Sequence, residues 1–138
     1  MQVRVTAMSA DLSSTELGLV DADTAVALFE SHPWPAELAR ADALDASQVN
    51  VCDPDMTFTA LPAHLVVSAA TLDTFNIEVC LPRLDRLLGI FARSRFFHFK
   101  AVPRQAVPAL IRGFCTDALE QRHSFFAQLE THAANGKG

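Results

Sequence analysis

The stretch SRFFHFKAVPRQAVPALIRGF, residues 94–114, changes its hydrophobic period in the middle. In RFFHFKA successive residues alternate between two faces, so that Phe97 and Phe99 share one face while Phe96 and His98 share the other. Alternation of this kind is typical of a β-strand with one buried face. After the first proline the apolar residues recur every three to four positions, which indicates a helix. The stretch therefore predicts a strand that runs directly into a helix.

The helix is predicted to be long enough to cover a sheet. Between Pro108 and Leu129 it would exceed about 30 Å at 1.5 Å per residue. The residues expected to face the core are spaced about 3.6 positions apart: Val107, Leu110, Ile111, Phe114, Ala118, Phe125 and Leu129. We expect residues 133–138 to form a flexible C-terminal tail, and residues 1–132 to form a single domain.

Four other segments alternate in the same way and predict the remaining strands. They are QVRVT (2–6), VNVCDPDMTFTA (49–60), HLVVSAA (64–70) and TFNIEVCL (74–81). In TFNIEVCL, Phe75, Ile77, Val79 and Leu81 all fall on one side, which suits an antiparallel sheet with one covered face. We therefore expect an antiparallel sheet of four or five strands. Ser9–Ser14 is small and polar, and is expected to be a connection.

Three segments have helical spacing outside this region. DADTAVALFESH (21–32) and PAELARADAL (35–44) predict short helices near the N-terminus, with Trp34 between two prolines at their junction. RLDRLLGIFAR (83–93) predicts another helix. The expected fold class is therefore α+β, with the long C-terminal helix across the sheet and the short helices nearby.

Composition and cysteine usage indicate the compartment. Half of the 138 residues are hydrophobic and a fifth are charged, which supports a packed core. No apolar run approaches the roughly 20 residues of a transmembrane helix, and the first residues lack the pattern of a secretory signal. Cys52, Cys80 and Cys115 have no close spacing and are expected to be reduced thiols. We expect a cytoplasmic protein that does not bind membranes.

Charge is distributed unevenly along the chain. Residues 1–82 contain twelve acidic and two basic residues, a charge of −10, whereas residues 83–112 contain seven basic residues and one acidic residue, a charge of +6. Such asymmetry marks a recognition surface unless the fold interleaves the two segments. The sequence leaves both outcomes open for the basic segment.

Sequence signatures of catalysis and cofactor binding are missing. The chain contains no GxSxG elbow, no phosphate-binding glycine loop and no CxxC. A zinc site would need Cys52, His64 and Cys80 to meet from separate strands. Cys115 and His123, eight residues apart on one helix, would lie about 12 Å apart, too far for a hydrogen bond. We expect no catalytic residue, metal or cofactor, although an active site assembled from scattered residues stays open.

Nucleic-acid binding is a further reading of the basic segment. Phe96 and His98 would then stack on bases beside the arginines of residues 83–112. The absence of tyrosine and an isoelectric point near 5.4 argue against this reading.

Three segments carry a resemblance to a known group of proteins: FESHPWPAEL (29–38), VNVCDPDMTFTA (49–60) and HLVVSAATLDTFNIEV (64–79). In order and character they are similar to small acidic bacterial immunity proteins of secreted polymorphic toxins. The similarity covers most of the chain but includes no diagnostic motif, so it assigns no functional residue. It implies a cytoplasmic protein that binds a cognate toxin domain and blocks its active site.

The acidic half predicts a protein-binding surface independently of that resemblance, because an acidic face steers a basic partner. The residues expected to contact the partner are Trp34, as an aromatic anchor, and Asp42, Asp45, Asp53, Asp55 and Glu78. Two alternatives stay open. One is a small ligand-binding protein or enzyme with a pocket between the sheet and the long helix, entered near His64 or His98. The other is a homodimeric structural subunit.

Overall fold

The computed structural model describes residues 1–47, 52–83 and 94–135. Within these ranges the strands are β1 (Val3–Met8), β2 (Ser14–Val20), β3 (Asp55–Ala60), β4 (Ala63–Ala69), β5 (Thr74–Leu81) and β6 (Arg95–Pro103). The α-helices are α1 (Ala22–Ser31), α2 (Trp34–Ala46), α3 (Val107–Phe114) and α4 (Leu119–Asn135). The helix predicted over residues 83–93 falls, except for its first residue, outside the described residues.

The six strands form one antiparallel sheet in the order β2-β1-β3-β4-β5-β6. The prediction of an α+β fold with an antiparallel sheet is confirmed. Every neighbouring pair except β1–β3 is formed by consecutive strands, and α1 and α2 are inserted between β2 and β3. The sheet is therefore built mainly from local hairpins.

The number of strands was predicted wrongly, because β2 escaped detection. The register with β1 shifts between Val5 and Thr6, which inserts an extra residue into STELGLV and breaks its alternation. Gly18 lies at this bulge with φ +114°, a conformation that other residues rarely adopt. Leu17 packs against the core, whereas Leu19 is 55% exposed at the sheet edge. The apolar pattern of β2 therefore does not reveal a strand.

The helices cover one face of the sheet, and the core lies between the two layers. One cluster of buried side chains joins alternate residues of β1 and β3–β6 to residues of all four helices. Aromatic rings fill its centre: Phe29, Trp34, Phe58, Phe75, Phe97, Phe114 and Phe126, each with no exposed surface. Large aromatic side chains dominate the energetics of such a core.

The prediction of one continuous helix from Pro108 to Leu129 is wrong. The chain leaves helical geometry after Phe114 and re-enters it at Leu119. Within the break, the Thr116 hydroxyl donates to the carbonyl of Arg112, and short polar side chains compete with helix hydrogen bonds in this way. The break shifts the buried stripe by one position, because Phe126 is fully buried and Phe125 is only half-buried, while Ala118 is exposed.

Helices α3 and α4 approach each other closely at Gly113. A β-carbon built on Gly113 would lie 2.2 Å from Cε1 of Phe125, so the ring occupies the space that any side chain needs. We expect Gly113→Ala to lower the free energy of unfolding by about 1–3 kcal/mol through overpacking, although alanine is the better helix former by about 1 kcal/mol. Urea denaturation followed by circular dichroism measures the difference.

Two control variants isolate the steric cause of that loss. Ala109→Gly, at an exposed position of the same helix, measures helix propensity alone. In a Phe125→Leu background, Gly113→Ala should cost clearly less, because the smaller side chain vacates the space. An unchanged or increased stability of Gly113→Ala would show that the two helices do not meet as described.

Helix α4 extends further towards the C-terminus than predicted. Helix α4 continues to Asn135, so the tail expected over residues 133–138 overlaps its last turn, and residues 136–138 lie outside the described part of the chain. Among the helices described, none combines the length and apolar character that a membrane crossing requires.

Candidate functional site

The face of the sheet opposite the helices is the main candidate surface, and we call it the open face. The strand registers place its side chains in three rows that run from β2 to β6. The first row is Leu19, Arg4, Thr59, His64, Cys80 and Phe96. The second is Glu16, Thr6, Thr57, Val66, Glu78 and His98. The third is Ser14, Met8, Asp55, Ser68 and Asn76, with Lys100 beside Asn76 on β6.

Polar groups dominate the open face. Most of its side chains are exposed or half-buried, and hydroxyl, amide, imidazole and charged groups outnumber apolar ones. Phe96 is 53% exposed at one edge and Leu19 is 55% exposed at the other, while Cys80 in the same row is only 6% exposed. One covered and one polar face is the usual arrangement of an antiparallel sheet.

The acidic residues predicted to contact a partner fall in two places. Asp55 and Glu78 lie on the open face, and Asp53 is exposed directly before β3. Asp42 and Asp45 are exposed on α2, which is tied to the β1–β2 hairpin by an ion pair between Arg40 and Asp11. The backbone N–H of Cys52 donates to the carbonyl of Ala10 in that hairpin (3.2 Å). Asp53 and Asp55 therefore lie at the hairpin end of the sheet.

These five carboxylates differ from three other acidic residues of the first half, which are paired. Asp11, Glu16 and Asp23 each form an ion pair with an arginine. None of the five makes an ion pair with any residue that the structure describes: Asp42, Asp45, Asp53, Asp55 and Glu78. They therefore contribute negative potential that no neighbouring cation in the described ranges neutralises by direct contact.

Trp34 cannot serve as an exposed anchor, which corrects the prediction. Its side chain has no exposed surface, and its indole Nε1–H donates to the carbonyl of Phe29 (3.0 Å). The rings of Phe29 and Phe75 lie 5.7 and 5.1 Å from it. The sequence placed Trp34 at the junction of two helices and predicted an anchor for a partner, whereas the structure directs its indole into the core.

Three arginines of the basic segment make structural contacts with other parts of the fold. Arg112 pairs with Asp23 of α1, and Arg95 pairs with Glu130 of α4. The Arg104 guanidinium donates to the carbonyl of Glu30 (3.2 Å), where a cation stabilises the C-terminal end of a helix. The fold therefore interleaves the acidic and basic segments in part. Lys100 stays on the open face.

The candidate zinc ligands do not come together. His64 and Cys80 are cross-strand neighbours on the open face, but Cys52 lies at the hairpin end of the sheet, with its Sγ 3.5 Å from the carbonyl oxygen of Ser9. No group of three or more metal-ligating side chains assembles among the described residues.

The pair of Cys115 and His123 also lacks the features of a catalytic thiol and its base. Burial raises the pKa of the Cys115 thiol to about 11, which disfavours a reactive thiolate. His123 donates from Nε2 to the carbonyl of Pro82 (2.6 Å) instead.

The pocket expected between the sheet and the long helix is occupied by the core. Phe97 and Phe126 pack with their ring centres 5.8 Å apart in that space. His64 and His98, the predicted entrance, lie on the opposite face of the sheet. Because successive side chains of a strand point to opposite faces, the sequence alone predicted that Phe97 and His98 lie on different sides of the sheet.

Asp55, on the open face, has a perturbed pKa. Burial raises its pKa above the ordinary value of 3.8, and a hydrogen bond from Thr57 opposes the rise in part. The folded state therefore binds more protons than the unfolded state between pH 3.8 and the folded pKa, so this group lowers stability as the pH rises through that window. At neutral pH its charge costs stability.

We expect Asp55→Asn to be more stable than the parent at pH 7, since the amide keeps an oxygen for Thr57 and removes the charge. Asp55 is half-buried, so solvent screens part of the effect and the rise in Tm should not exceed about 4 °C. The difference in Tm between Asp55→Asn and the parent should shrink as the pH falls through the folded-state pKa of Asp55. It should vanish below about pH 3.8. Thermal melts across pH, with Asp42→Asn as the exposed control, measure it. A pH-independent difference would contradict the assignment.

The fold and this surface define a small α+β protein with a one-sided, six-stranded antiparallel sheet. No protein-family model, curated protein or solved structure matches the chain significantly.

Proposed function

We propose that the protein is a non-catalytic protein-binding module that uses the open face and the adjoining carboxylates to bind a basic protein partner. The observation that carries this proposal is the one-sided sheet, whose polar face spans all six strands. At a strand spacing of about 4.8 Å and a rise of about 3.4 Å per residue, the face measures roughly 24 by 20 Å. This area, close to 500 Å², is more than half of the roughly 800 Å² that one partner contributes to a standard interface.

The unpaired carboxylates support a basic partner. Glu78 lies within the open face and Asp53 lies beside its hairpin end. Asp42 and Asp45 are exposed on α2, whose Arg40 pairs with Asp11 at the hairpin end of the sheet. Charges of this kind accelerate encounter with an oppositely charged surface and are screened by salt. The partner would then supply lysine and arginine side chains at its binding surface.

The resemblance to immunity proteins suggests a particular partner, a basic toxin domain whose active site the bound chain would cover. Such a role needs a complementary surface and no catalytic group. It agrees with a surface that carries uncompensated acidic residues and whose histidines and cysteines do not form a recognisable catalytic or metal centre among the described residues. A cytoplasmic location belongs to the same proposal.

The test is to recover the partner and to measure its association with charge-reversed variants. The full chain, immobilised, is used to capture the partner from the native host, and stopped-flow or surface plasmon resonance then gives the association rate across a salt series. We expect Asp53→Lys/Glu78→Lys to lower that rate at low salt by at least about tenfold. Asp42→Lys/Asp45→Lys should lower it less, because α2 belongs to the helical layer on the other side of the sheet.

The matched control is Glu30→Lys/Glu120→Lys, which changes the net charge by the same amount at two exposed positions of the helical layer. This double variant should associate nearly as fast as the parent. Equal losses in all three double variants would show a general charge effect instead of a binding surface. An association rate that does not depend on salt would overturn the electrostatic proposal.

A further inference from the structure

The open face contains a strained β-bulge between β5 and β6. The register shifts between Phe75 and Ile77, so that Asn76 faces the bulge. Ala101, in the bulge, has φ +54°, a conformation that residues with a β-carbon rarely adopt. Oδ1 of Asn76 accepts a hydrogen bond from the backbone N–H of Ala101 (3.0 Å) and so holds this conformation. Bulges redirect side chains, and strained backbone is common at functional sites.

A depression of about 160 Å³ lies next to this bulge. Five polar side chains from three adjacent strands line it: Ser68, Asn76, Glu78, His98 and Lys100. One water molecule takes up about 30 Å³ in the liquid, so the depression has the volume of roughly five water molecules. Glycine, with five heavy atoms, and alanine, with six, are both small enough to fit within that volume. The size therefore suits a very small polar ligand.

The depression contains one negative and one positive side chain that do not form an ion pair with each other. Glu78 and Lys100 are both exposed and line the same space, yet neither lies within 4.0 Å of an opposite charge among the described residues. Since the oxygen of the Asn76 side chain is used by Ala101, its amide nitrogen supplies the remaining hydrogen-bond donors. The depression thus offers an anionic acceptor at one position and cationic and amide donors at another.

We propose that this depression binds the zwitterionic group of a small free α-amino acid such as glycine or alanine. Lys100 and the amide nitrogen of Asn76 hold the carboxylate, and Glu78 holds the ammonium group. Both contacts are charge-assisted hydrogen bonds, which are stronger than those between neutral groups. The site lies on the open face, but its binding of an amino acid does not depend on a protein partner.

The test uses ¹⁵N-labelled full-length protein titrated with glycine and with L-alanine, followed by NMR chemical shifts. We expect saturable shifts at the backbone amides of the lining residues, with an affinity in the millimolar range because the site is open to solvent. Acetate and methylammonium, which each carry one of the two charges, should bind about tenfold more weakly, since each loses one charge-assisted contact.

Two substitutions test whether Glu78 and Lys100 form the binding site. Glu78→Gln and Lys100→Met should each weaken glycine binding by about tenfold, with the rest of the spectrum unchanged as evidence of folding. Glu16→Gln, in the same row as Glu78 but on β2, should bind glycine like the parent. The proposal is overturned if glycine gives no saturable shift. It also fails if acetate or methylammonium binds as well, or if both variants retain the parent affinity.

Discussion

Replacement of Phe114 by aspartate is expected to leave the chain unfolded at 25 °C. Phe114 is the last residue of α3 and has no exposed surface. An unpaired carboxylate at this position would lose the aromatic packing and either remain buried at high cost or force the core open. The combined loss, more than about 5 kcal/mol, equals or exceeds the stability of many small domains. Circular dichroism and size-exclusion chromatography report the outcome.

The matched control for this variant is Ala109→Asp on the exposed side of the same helix. The new carboxylate would be exposed to water, so the free energy of unfolding should change by no more than about 0.5 kcal/mol. Should Phe114→Asp instead melt cooperatively at the temperature of the parent, α3 would not pack against the sheet through this residue.

Truncation of Trp34 to alanine should be the second large effect. The indole has no exposed surface and packs against Phe29, Phe75 and His32. Removing a buried aromatic side chain of this size costs about 3–5 kcal/mol. Trp34→Phe keeps most of the packing but removes the hydrogen bond to Phe29, which contributes about 0.5–1.5 kcal/mol. Urea denaturation followed by far-ultraviolet circular dichroism compares both variants with the parent.

The same pair of variants separates a core residue from a binding anchor. Leu61→Ala, at the 89% exposed tip of the β3–β4 hairpin, is the control for loss of an apolar side chain without loss of packing. It should leave stability nearly unchanged. If Trp34→Ala were as stable as the parent and altered only the rate of dissociation from a partner, the buried position of the indole would be refuted.

The strand segments were predictable because side-chain alternation reports directly on which face is buried. In TFNIEVCL, for example, Phe75, Ile77 and Val79 are buried while Asn76 and Glu78 are exposed. The same rule assigned Phe97 to the core and His98 to the other side. It failed for β2, where the bulge at Gly18 shifts the alternation within a short edge strand.

The candidate site was predictable only in part. Sequence could identify acidic residues in polar surroundings, and Asp42, Asp45, Asp53 and Glu78 are indeed exposed. It could not identify the partners that neutralise other acidic residues, because the ion pair between Arg112 and Asp23 joins residues 89 positions apart. Nor could it assemble the depression around Glu78 and Lys100, which depends on the β5–β6 register and its bulge.

The sequence by itself determined the α+β class, the antiparallel strands β1 and β3–β6 and their buried faces, since these follow from local periodicity. The tertiary structure alone decided that Trp34 is buried, that the C-terminal helix divides after Phe114, and that the strand registers align the open-face side chains in three rows. The physical reason is the range of the interactions. Alternation is a property of neighbouring residues, whereas the volume available to an indole, the space at Gly113 and the register of two strands are set by segments distant in the chain.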